Sequence, residues 1–540
     1  MAKNVSEQLL EILLGVGVKH VYGVTGDALN FFVKAIEERD DVEWIGMKHE
    51  GNASYAAFGQ SQTSKVIGVC AGTVGPGALH LINGLYNAKK ERTPIIAITG
   101  QVPQEQQGTN FFQEVDLKKV FDDVCDYQAI IKSPKQAPMV MQRAVKIALA
   151  NNAVCRIELP ANVAEMDAEN EEFLHAIQKY TSSLIPQEEA VIKSAQLLNE
   201  AKTVGILGGD GCRGNKNAVL KLANKLKAPI THSLRASDIF DHETENVVGL
   251  TGLIGNPSGY NAVMKCDLLL MLGTDFPYIN FLPHKTKTIQ VDIRQENIGN
   301  RTAVDLGVWS DISSFLDLLF PKIEEKENSE FLDKLLSSFK GWKENMEQEA
   351  STENEKLPLQ PQIFAGLINK HASNNAIFTV ETGTSAIWAA HHISFHSQRR
   401  LIGSFNHGSM AVGLPAAIGS QFANPDKEVW CLSGDGAFNM AMQDFITAVK
   451  YKLPLKVIIF NNSELSFVKL EMEQVGLAPS LKALKEDNVN FAEYAKLCGG
   501  DGVRIEQVAD IEDAILQAKN SNKAFIIDAV VSSGALSLPP

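Results

Sequence analysis

A chain of 540 residues with a formal charge of −14, 45% hydrophobic and 21% charged residues has the make-up of an ordinary globular protein with ample core. Its length predicts about three or four domains, and its acidic balance argues against nucleic acid as a partner and against a basic membrane-binding surface. Seven cysteines are scattered without C-x-x-C or metal spacing, mostly in apolar runs. Reduced, buried thiols in a cytoplasmic protein are the reading that follows.

At the amino end Val5, Leu9, Ile12, Leu13 and Val16 mark an amphipathic helix, and Glu7 and Glu11 break the apolar run a signal peptide needs. No stretch approaches the roughly 20 apolar residues of a membrane span. Residues 1–185 alternate helical and strand patterns, with strands expected at Val18–Gly23, Val42–Met47, Val66–Cys70, Ile95–Thr99 and Val154–Leu159. Such alternation predicts a doubly wound parallel α/β sheet covered on both faces.

Three stretches in this region are candidates for a site. Lys48-His49-Glu50-Gly51-Asn52-Ala53 follows a strand and opens a helix of small residues. Glu50 is either a costly buried carboxylate with a task or a helix-start residue favoured by the dipole. Gly75-Pro76-Gly77 makes a loop that lets backbone approach a ligand, and His80 beyond it is either catalytic or a surface histidine. Phe111-Phe112-Gln113-Glu114 is a loop whose aromatics could wall a site or anchor the loop.

A second α/β region runs over 186–330. Gly209, Gly211 and Gly214 fit G-x-G-x-x-G after the strand Val204–Leu207, yet Leu234-Arg235 stands where a nicotinamide site needs an acid. Loops at Thr251-Gly252-Leu253-Ile254 and Thr274-Asp275-Phe276-Pro277-Tyr278 also follow strands, and Asp292 closes the strand Thr288–Val291, a place suited to a ribose hydroxyl. Together they suggest a dinucleotide lying across strand ends. Residues 331–357 are strongly charged and read as a solvated connecting helix and linker. Residues 358–540 return to the alternating pattern, so the first and last thirds look like two copies of one architecture, without a residue-level repeat.

The most informative stretch lies in the last third. A strand, Glu428–Leu432, delivers Gly434-Asp435-Gly436 to a turn; a helix is expected with apolar positions at Phe438, Met442, Phe445, Ile446 and Val449; and a strand at Leu455–Phe460 ends in Asn461-Asn462. In a right-handed strand–helix–strand unit the two strands are parallel, so Asp435 and Asn462 fall at neighbouring carboxyl ends. A carboxylate, an amide oxygen and a nearby carbonyl are hard ligands for Mg²⁺, and the helix N-terminus and glycine amides suit phosphates.

GDG followed by NN resembles the diphosphate–magnesium motif of thiamine diphosphate (ThDP) enzymes. With KHEGNA (48–53), GPGALHLINGLYNA (75–88), FFQE (111–114), TGLIG (251–255), GTDFPY (273–278), NHGSM (406–410) and LSFVKLE (465–471), the whole chain resembles the pyruvate oxidase and pyruvate:quinone oxidoreductase branch of that superfamily. The resemblance implies three doubly wound domains: pyrimidine-binding (1–185), FAD-binding (186–330) and, beyond the linker, diphosphate-binding (358–540). It implies a homodimer or homotetramer, because the two thiamine-binding domains facing one cofactor come from different subunits.

Residue by residue, the resemblance assigns Mg²⁺ to Asp435, Asn462 and the backbone carbonyl of Glu464. The cofactor contacts it implies are Gly408-Ser409-Met410, Asp435-Gly436-Ala437 and Asn462-Ser463-Glu464-Leu465-Ser466-Phe467-Val468. Glu50 is implied to hydrogen-bond the aminopyrimidine, and Met410 to support the bend between the cofactor's rings. Residues 251–254, 274–278 and Asp292 are implied FAD contacts, and Phe112, Gln113, Phe467 and Glu471 line the site.

The implied reaction is oxidative decarboxylation of pyruvate to acetate or acetyl phosphate, with electrons passing through FAD to a quinone or oxygen. Acetohydroxyacid synthases are the rival within the superfamily; they carry Met and Trp where this chain has Phe467 and Glu471, as the oxidases do. A non-catalytic nucleotide-binding relative would show loss of Glu50 or Asp435, and both are present. Ser466 stands where the family has Gly. The chain closes at Leu538-Pro539-Pro540, without the amphipathic tail of quinone-reducing relatives. That speaks against membrane attachment and leaves peripheral binding at the inner face open.

Overall fold

The computed structural model describes residues 3–169, 182–354, 356–395, 398–478 and 481–533, so the chain's last residues, 534–540, lie outside the described part. Three six-stranded, all-parallel sheets form, each with helices on both faces, as the α/β alternation predicts. The first contains β1 (His20–Gly23), β2 (Glu43–Gly46), β3 (Gly68–Gly72), β4 (Ile95–Gln101), β5 (Tyr127–Ile130) and β6 (Val154–Pro160), in the order β2-β1-β3-β4-β6-β5. The third contains β13 (Ile377–Val380), β14 (Arg400–Ile402), β15 (Val429–Gly434), β16 (Lys456–Asn461), β17 (Asp501–Ile505) and β18 (Phe525–Val530), in the order β14-β13-β15-β16-β18-β17. Counted from its own first strand, this order is identical to that of the first sheet.

The middle sheet differs. Its strands β7 (Val204–Gly208), β8 (Ile230–His232), β9 (Val247–Leu250), β10 (Leu268–Leu272), β11 (Lys287–Asp292) and β12 (Leu306–Trp309) lie in the order β12-β11-β10-β7-β8-β9. Read in reverse this is the 3-2-1-4-5-6 order of dinucleotide-binding sheets, whose ligand crevice lies outside the carboxyl ends of the strands.

Three local expectations need correction. Tyr127–Ile130 forms the edge strand β5, which a short half-exposed run conceals. The single helix expected through Phe438, Met442, Phe445, Ile446 and Val449 is broken into Asp435–Asn439, a 3₁₀ turn at Met442–Asp444, and Phe445–Lys450. That break turns Asp444 toward the first unit and leaves Ile446 exposed rather than on a buried stripe. The charged linker is also not wholly solvated: its helix, Glu330–Glu349, buries Leu332, Leu335 and Phe339, two of which pack with Val248 and Ala262 of the middle unit.

The first and third units share one core, in which Tyr22, Ala56 and Phe58 pack with Ala416, Phe438 and Phe445. The helices Glu50–Ser64 and Gly413–Ala423 cross with their backbones nearly touching: a Cβ on Gly59 would run into Ala416, and one on Gly419 into the Ala56 carbonyl. Replacing a mid-helix Gly by Ala gains about 1 kcal/mol of helix propensity. Overpacking against backbone costs roughly 1–3 kcal/mol or more. Gly419→Ala is therefore expected to lower the melting temperature. Gly341→Ala, in a helix where nothing stands within 4 Å, should raise it slightly. Thermal unfolding of both variants checks the sign in each case.

Candidate active site

The strand pairing Gly434↔Phe460 sets the ends of β15 and β16 side by side. Asp435 is buried at the start of its helix; its Oδ1 accepts from the Gly436 amide at 2.9 Å and its Oδ2 from the Ser463 amide at 2.6 Å. The two loops that carry Asp435 and Asn462 are thus joined directly. Asn462 Oδ1 accepts from the Glu464 amide at 3.1 Å, and its Nδ2 donates to Ser466 Oγ at 2.8 Å. The Glu464 carboxylate is engaged by Lys469 Nζ at 3.1 Å and by Ser533 Oγ at 2.9 Å. Ser463 holds the loop with a φ of +55°, a left-handed conformation that a non-glycine residue adopts at some cost.

This region fits a divalent cation and a diphosphate on its own chemistry. Burial pushes the Asp435 carboxyl up to about 6, against the pull of its amide hydrogen bonds. A bound cation would restore the ionised form. Gly383, Gly408 and Gly434 have open space where a Cβ would stand, within 4 Å of nothing. Gly436 and Ala437, by contrast, are buried under the loop, with Leu465 against Gly436.

Glu50 lies at the first position of its helix, 8% exposed, and its Oε2 accepts from His80 Nδ1 at 2.9 Å. His80 is thereby more than a surface histidine, and its ring stacks on His49 at 4.4 Å. A Cβ on Gly77 would sit 3.2 Å from Glu50 Oε1, and one on Gly75 would meet the Gln113 carbonyl, so the glycine loop joins Glu50 to Gln113. Phe112 beside it is 76% exposed. Among the described residues, no hydrogen bond or ion pair links Glu50 to the 435–466 loops within the chain.

Met410 is half-buried and precedes Ala411, whose φ is +71°. The loop is fastened from two sides: Tyr55 OH meets Ser409 Oγ at 2.6 Å, and Thr382 Oγ1 donates to the Ser409 carbonyl at 2.8 Å. Beneath it lies Glu381, a residue the sequence reading passed over. Its carboxylate is 1% exposed and accepts from the Gly413 and Val412 amides at 2.7 and 3.0 Å, at the N-terminus of the helix after Met410. The signal was present: like Glu50, it is a carboxylate at a strand end just before a helix.

Asp444 was missed too, and no local signal marks it. Fully buried, it accepts from the Lys48 amide at 2.9 Å, from Asn52 Nδ2 at 2.5 Å and from Thr447 Oγ1 at 2.7 Å. It therefore clamps the residues on both sides of Glu50 to the third unit.

The middle unit presents its candidate loops at one edge. Thr251 Oγ1 is buried without a partner, and Gly252 lies under the rings of Phe276 and Tyr278. Leu253 is half-buried; the Ile254 carbonyl accepts from His391 Nε2 of the third unit at 2.8 Å. Buried Thr274 and exposed Pro277 flank Asp275, which pairs with Arg301 at 3.2 Å. Asp292 Oδ1 accepts from the Arg294 amide at 2.8 Å, and burial raises its pKa. An orphaned hydroxyl after β9 and a buried carboxylate ending β11, spread along one carboxyl edge of the sheet, are a donor set that fits a dinucleotide lying across the strand ends. The G-x-G-x-x-G loop does not lie open in the same way: Gly209 and Gly211 pack directly on Gly273.

Burial raises the pKa of Tyr278, and the negative charge of Glu471 in the third unit adds to it. Glu471 and half-buried Phe467 stand on one helix, Ser466–Gln474, with Val468 exposed between them.

Comparison with known proteins gives this geometry a family. The N-terminal, central and C-terminal domain models of thiamine pyrophosphate enzymes match residues 3–120, 191–319 and 381–529. A putative thiamine pyrophosphate-containing protein, YdaP, of Bacillus subtilis (strain 168) is 32% identical over 532 residues, 98% of this chain and 92% of the relative. The chain belongs to the thiamine pyrophosphate enzymes. Pyruvate oxidase of Lactiplantibacillus plantarum is 27% identical to this enzyme over 97% of the chain and 88% of its own. Acetolactate synthase isozyme 1 large subunit of Escherichia coli (strain K12) is 28% identical over 95% and 92%. No helix among the enzyme's described residues is long and apolar enough to cross a membrane.

The buried carboxyl of Glu381 gives a pH test. Its folded pKa, pushed up to about 7 by burial, exceeds the ordinary 4.5. The folded state therefore holds an extra proton between the two values, and stability falls as pH rises from about 4.5 to 7, by on the order of 3 kcal/mol. Glu381→Gln should remove this slope from the thermal stability of the enzyme while loosening the Met410 loop. An unchanged pH profile in the variant would mean that Glu381 does not titrate there.

Proposed function

We infer that this enzyme carries out the oxidative decarboxylation of pyruvate, or a similarly small 2-keto acid, to acetate or acetyl phosphate and CO₂. Electrons would pass through FAD to a quinone or oxygen. The observation that carries the reading is the contact of the candidate flavin edge with the third unit, where the Ile254 carbonyl accepts from His391 Nε2 at 2.8 Å and Ile254 packs on the same core as Phe467, on the helix that leaves the candidate metal loop. An enzyme that must pass electrons from one cofactor to another needs its two sites close together. When bound, ThDP would supply a carbon nucleophile and electron sink, Mg²⁺ a bridge to its phosphates, and FAD a two-electron acceptor.

The residues have separable tasks. Asp435, Asn462 Oδ1 and the Glu464 carbonyl would hold Mg²⁺, with the glycines at 383, 408 and 434 leaving room for the cofactor. Glu50 has Oε2 engaged by His80, so Oε1 is the atom available to hold a proton at the aminopyrimidine. Met410, on a loop braced by Tyr55 and Thr382, would keep the cofactor bent so that the reacting groups start within reach. Phe112 and Phe467 would exclude water where the substrate's carboxylate loses its charge, and Gln113 and Glu471 would position the substrate.

Among the described residues of one chain Glu50 makes no hydrogen bond or ion pair with the metal loop, and Phe112 is largely exposed. A homodimer or homotetramer in which Glu50 faces the partner's diphosphate loop accounts for both.

Acetolactate synthesis is the second reading, supported by the comparable identity to the Escherichia coli isozyme. The residue types at Phe467 and Glu471 favour the oxidase. With ThDP, Mg²⁺, pyruvate and an artificial acceptor, the purified enzyme should be yellow and release acetate or acetyl phosphate. Glu50→Gln should slow flavin reduction by about 10²-fold or more. Acetolactate as the main product would establish the second reading instead, and undiminished flavin reduction in the variant would remove Glu50 from the chemistry.

A further inference from the structure

At the junction of the first and middle units lies Arg92, a cation whose side chain makes no hydrogen bond or ion pair among the described residues. Arg92 occupies the turn before β4 with a φ of +52°, and its amide donates to the Lys89 carbonyl. The chain on both sides of it is fastened to the middle unit. The Glu91 carbonyl accepts from Arg235 at 2.6 Å, and the Glu91 carboxylate pairs with the same guanidinium at 3.5 Å. Arg294, two residues past the end of β11, donates to the Asn151 carbonyl at 3.1 Å, close to where the chain enters β6 beside β4. The turn is therefore held against the carboxyl edge of the middle sheet.

There the guanidinium of Arg92 has Arg294 and Arg235 as like-charged neighbours and Asp292 and Asp275 as opposite ones; burial and the two arginines lower its pKa. The carboxylates are otherwise engaged, Asp275 with Arg301 and Asp292 with the Arg294 amide. Half-buried Arg92 makes no side-chain hydrogen bond or ion pair with any described residue.

A guanidinium carries five donors in a fixed fork. Leaving them unmatched in a partly desolvated place, beside two like charges, is costly unless an anion joins them. A phosphate accepts such a fork bidentately, and the crevice at the carboxyl ends of a sheet with this strand order is where dinucleotides bind. We propose that Arg92 is a phosphate-binding residue, reaching from the first unit onto the diphosphate of an adenine nucleotide held across the ends of β7, β10 and β11. The proposal rests on the flavin reading where that nucleotide is FAD; the shared chemistry is an adenosine diphosphate moiety, which ADP also carries. Phosphate binding would then lock the first and middle units together.

The test compares full-length wild type with Arg92→Gln and Arg92→Lys. Flavin content as purified is measured first, followed by titration of the flavin-free enzyme with FAD, ADP and riboflavin at two salt concentrations. Arg92→Gln should weaken FAD and ADP at least tenfold, leave riboflavin unchanged and reduce the salt dependence, and Arg92→Lys should recover part of the loss. The flavin-free melting temperature should hold or rise, because an unpaired like charge is removed; a structural role would lower it. Equal FAD affinity in wild type and Arg92→Gln would overturn the proposal. If wild type binds ADP but not FAD, and Arg92→Gln loses ADP, the flavin reading fails and the role of Arg92 stands. Binding of neither nucleotide by wild type would overturn both.

Discussion

The contact on which the site depends is the crossing of Glu50–Ser64 with Gly413–Ala423. Glu50 opens the first helix, and Met410 stands just ahead of the second. With Gly59 and Gly419 at the crossing, the two backbones close to a separation that larger side chains would forbid. The position of Glu50 relative to the Met410 loop of its own chain is therefore set by main chain against main chain, the least compressible arrangement available. Asp444 then removes the remaining freedom, tying Lys48 and Asn52 to the third unit on either side of the glutamate. A carboxylate that must hold one proton in one direction needs this kind of support, because a small misplacement is costly in rate.

Three buried carboxyls of the third unit carry different loads, and the difference lies in their hydrogen bonds. Asp444 accepts from a main-chain amide, a side-chain amide and a hydroxyl, all inside the protein, and has the setting of a fixed strut. Glu381 spends both oxygens on the amides of a helix start. Asp435 also takes two amides, but Gly434 next to it leaves open space, so it stands where a ligand can approach. It is the carboxyl of the three whose ionisation a ligand from outside would complete.

Much of this was legible in the residue order, and the reason is range. The α/β class, the repetition of architecture between first and last thirds, and the adjacency of Asp435 to Asn462 all follow from local periodicity and the handedness of a single strand–helix–strand unit. The break at Met440–Ala441 did not follow, because the helical pattern there is real and is overridden by the pull of Asp444 on residues nearly 400 positions away. The linker helix was judged by its charge, whereas its three buried side chains are a minority stripe visible only against the middle unit. Arg92 likewise reads as one more cation in a basic turn until the middle unit's arginines are set beside it.

The junction where the three units meet shows how the middle sheet is aimed. Arg213 and Arg400 both reach Asp238, at 2.7 and 2.8 Å, while Arg235 bridges Asp210 and Glu91 at 3.3 and 3.5 Å. These six groups come from all three units. Buried ion pairs add little net stability compared with apolar packing, since desolvation cancels much of the attraction, but their geometry penalises wrong arrangements. Apolar surface alone would allow the middle unit to rotate over its neighbours at small cost. Matched charges, with the His391–Ile254 bond beside them, favour one orientation, in which the carboxyl edge of the middle sheet faces the other two units. A ligand on that edge is then in contact with more than the sheet that binds it.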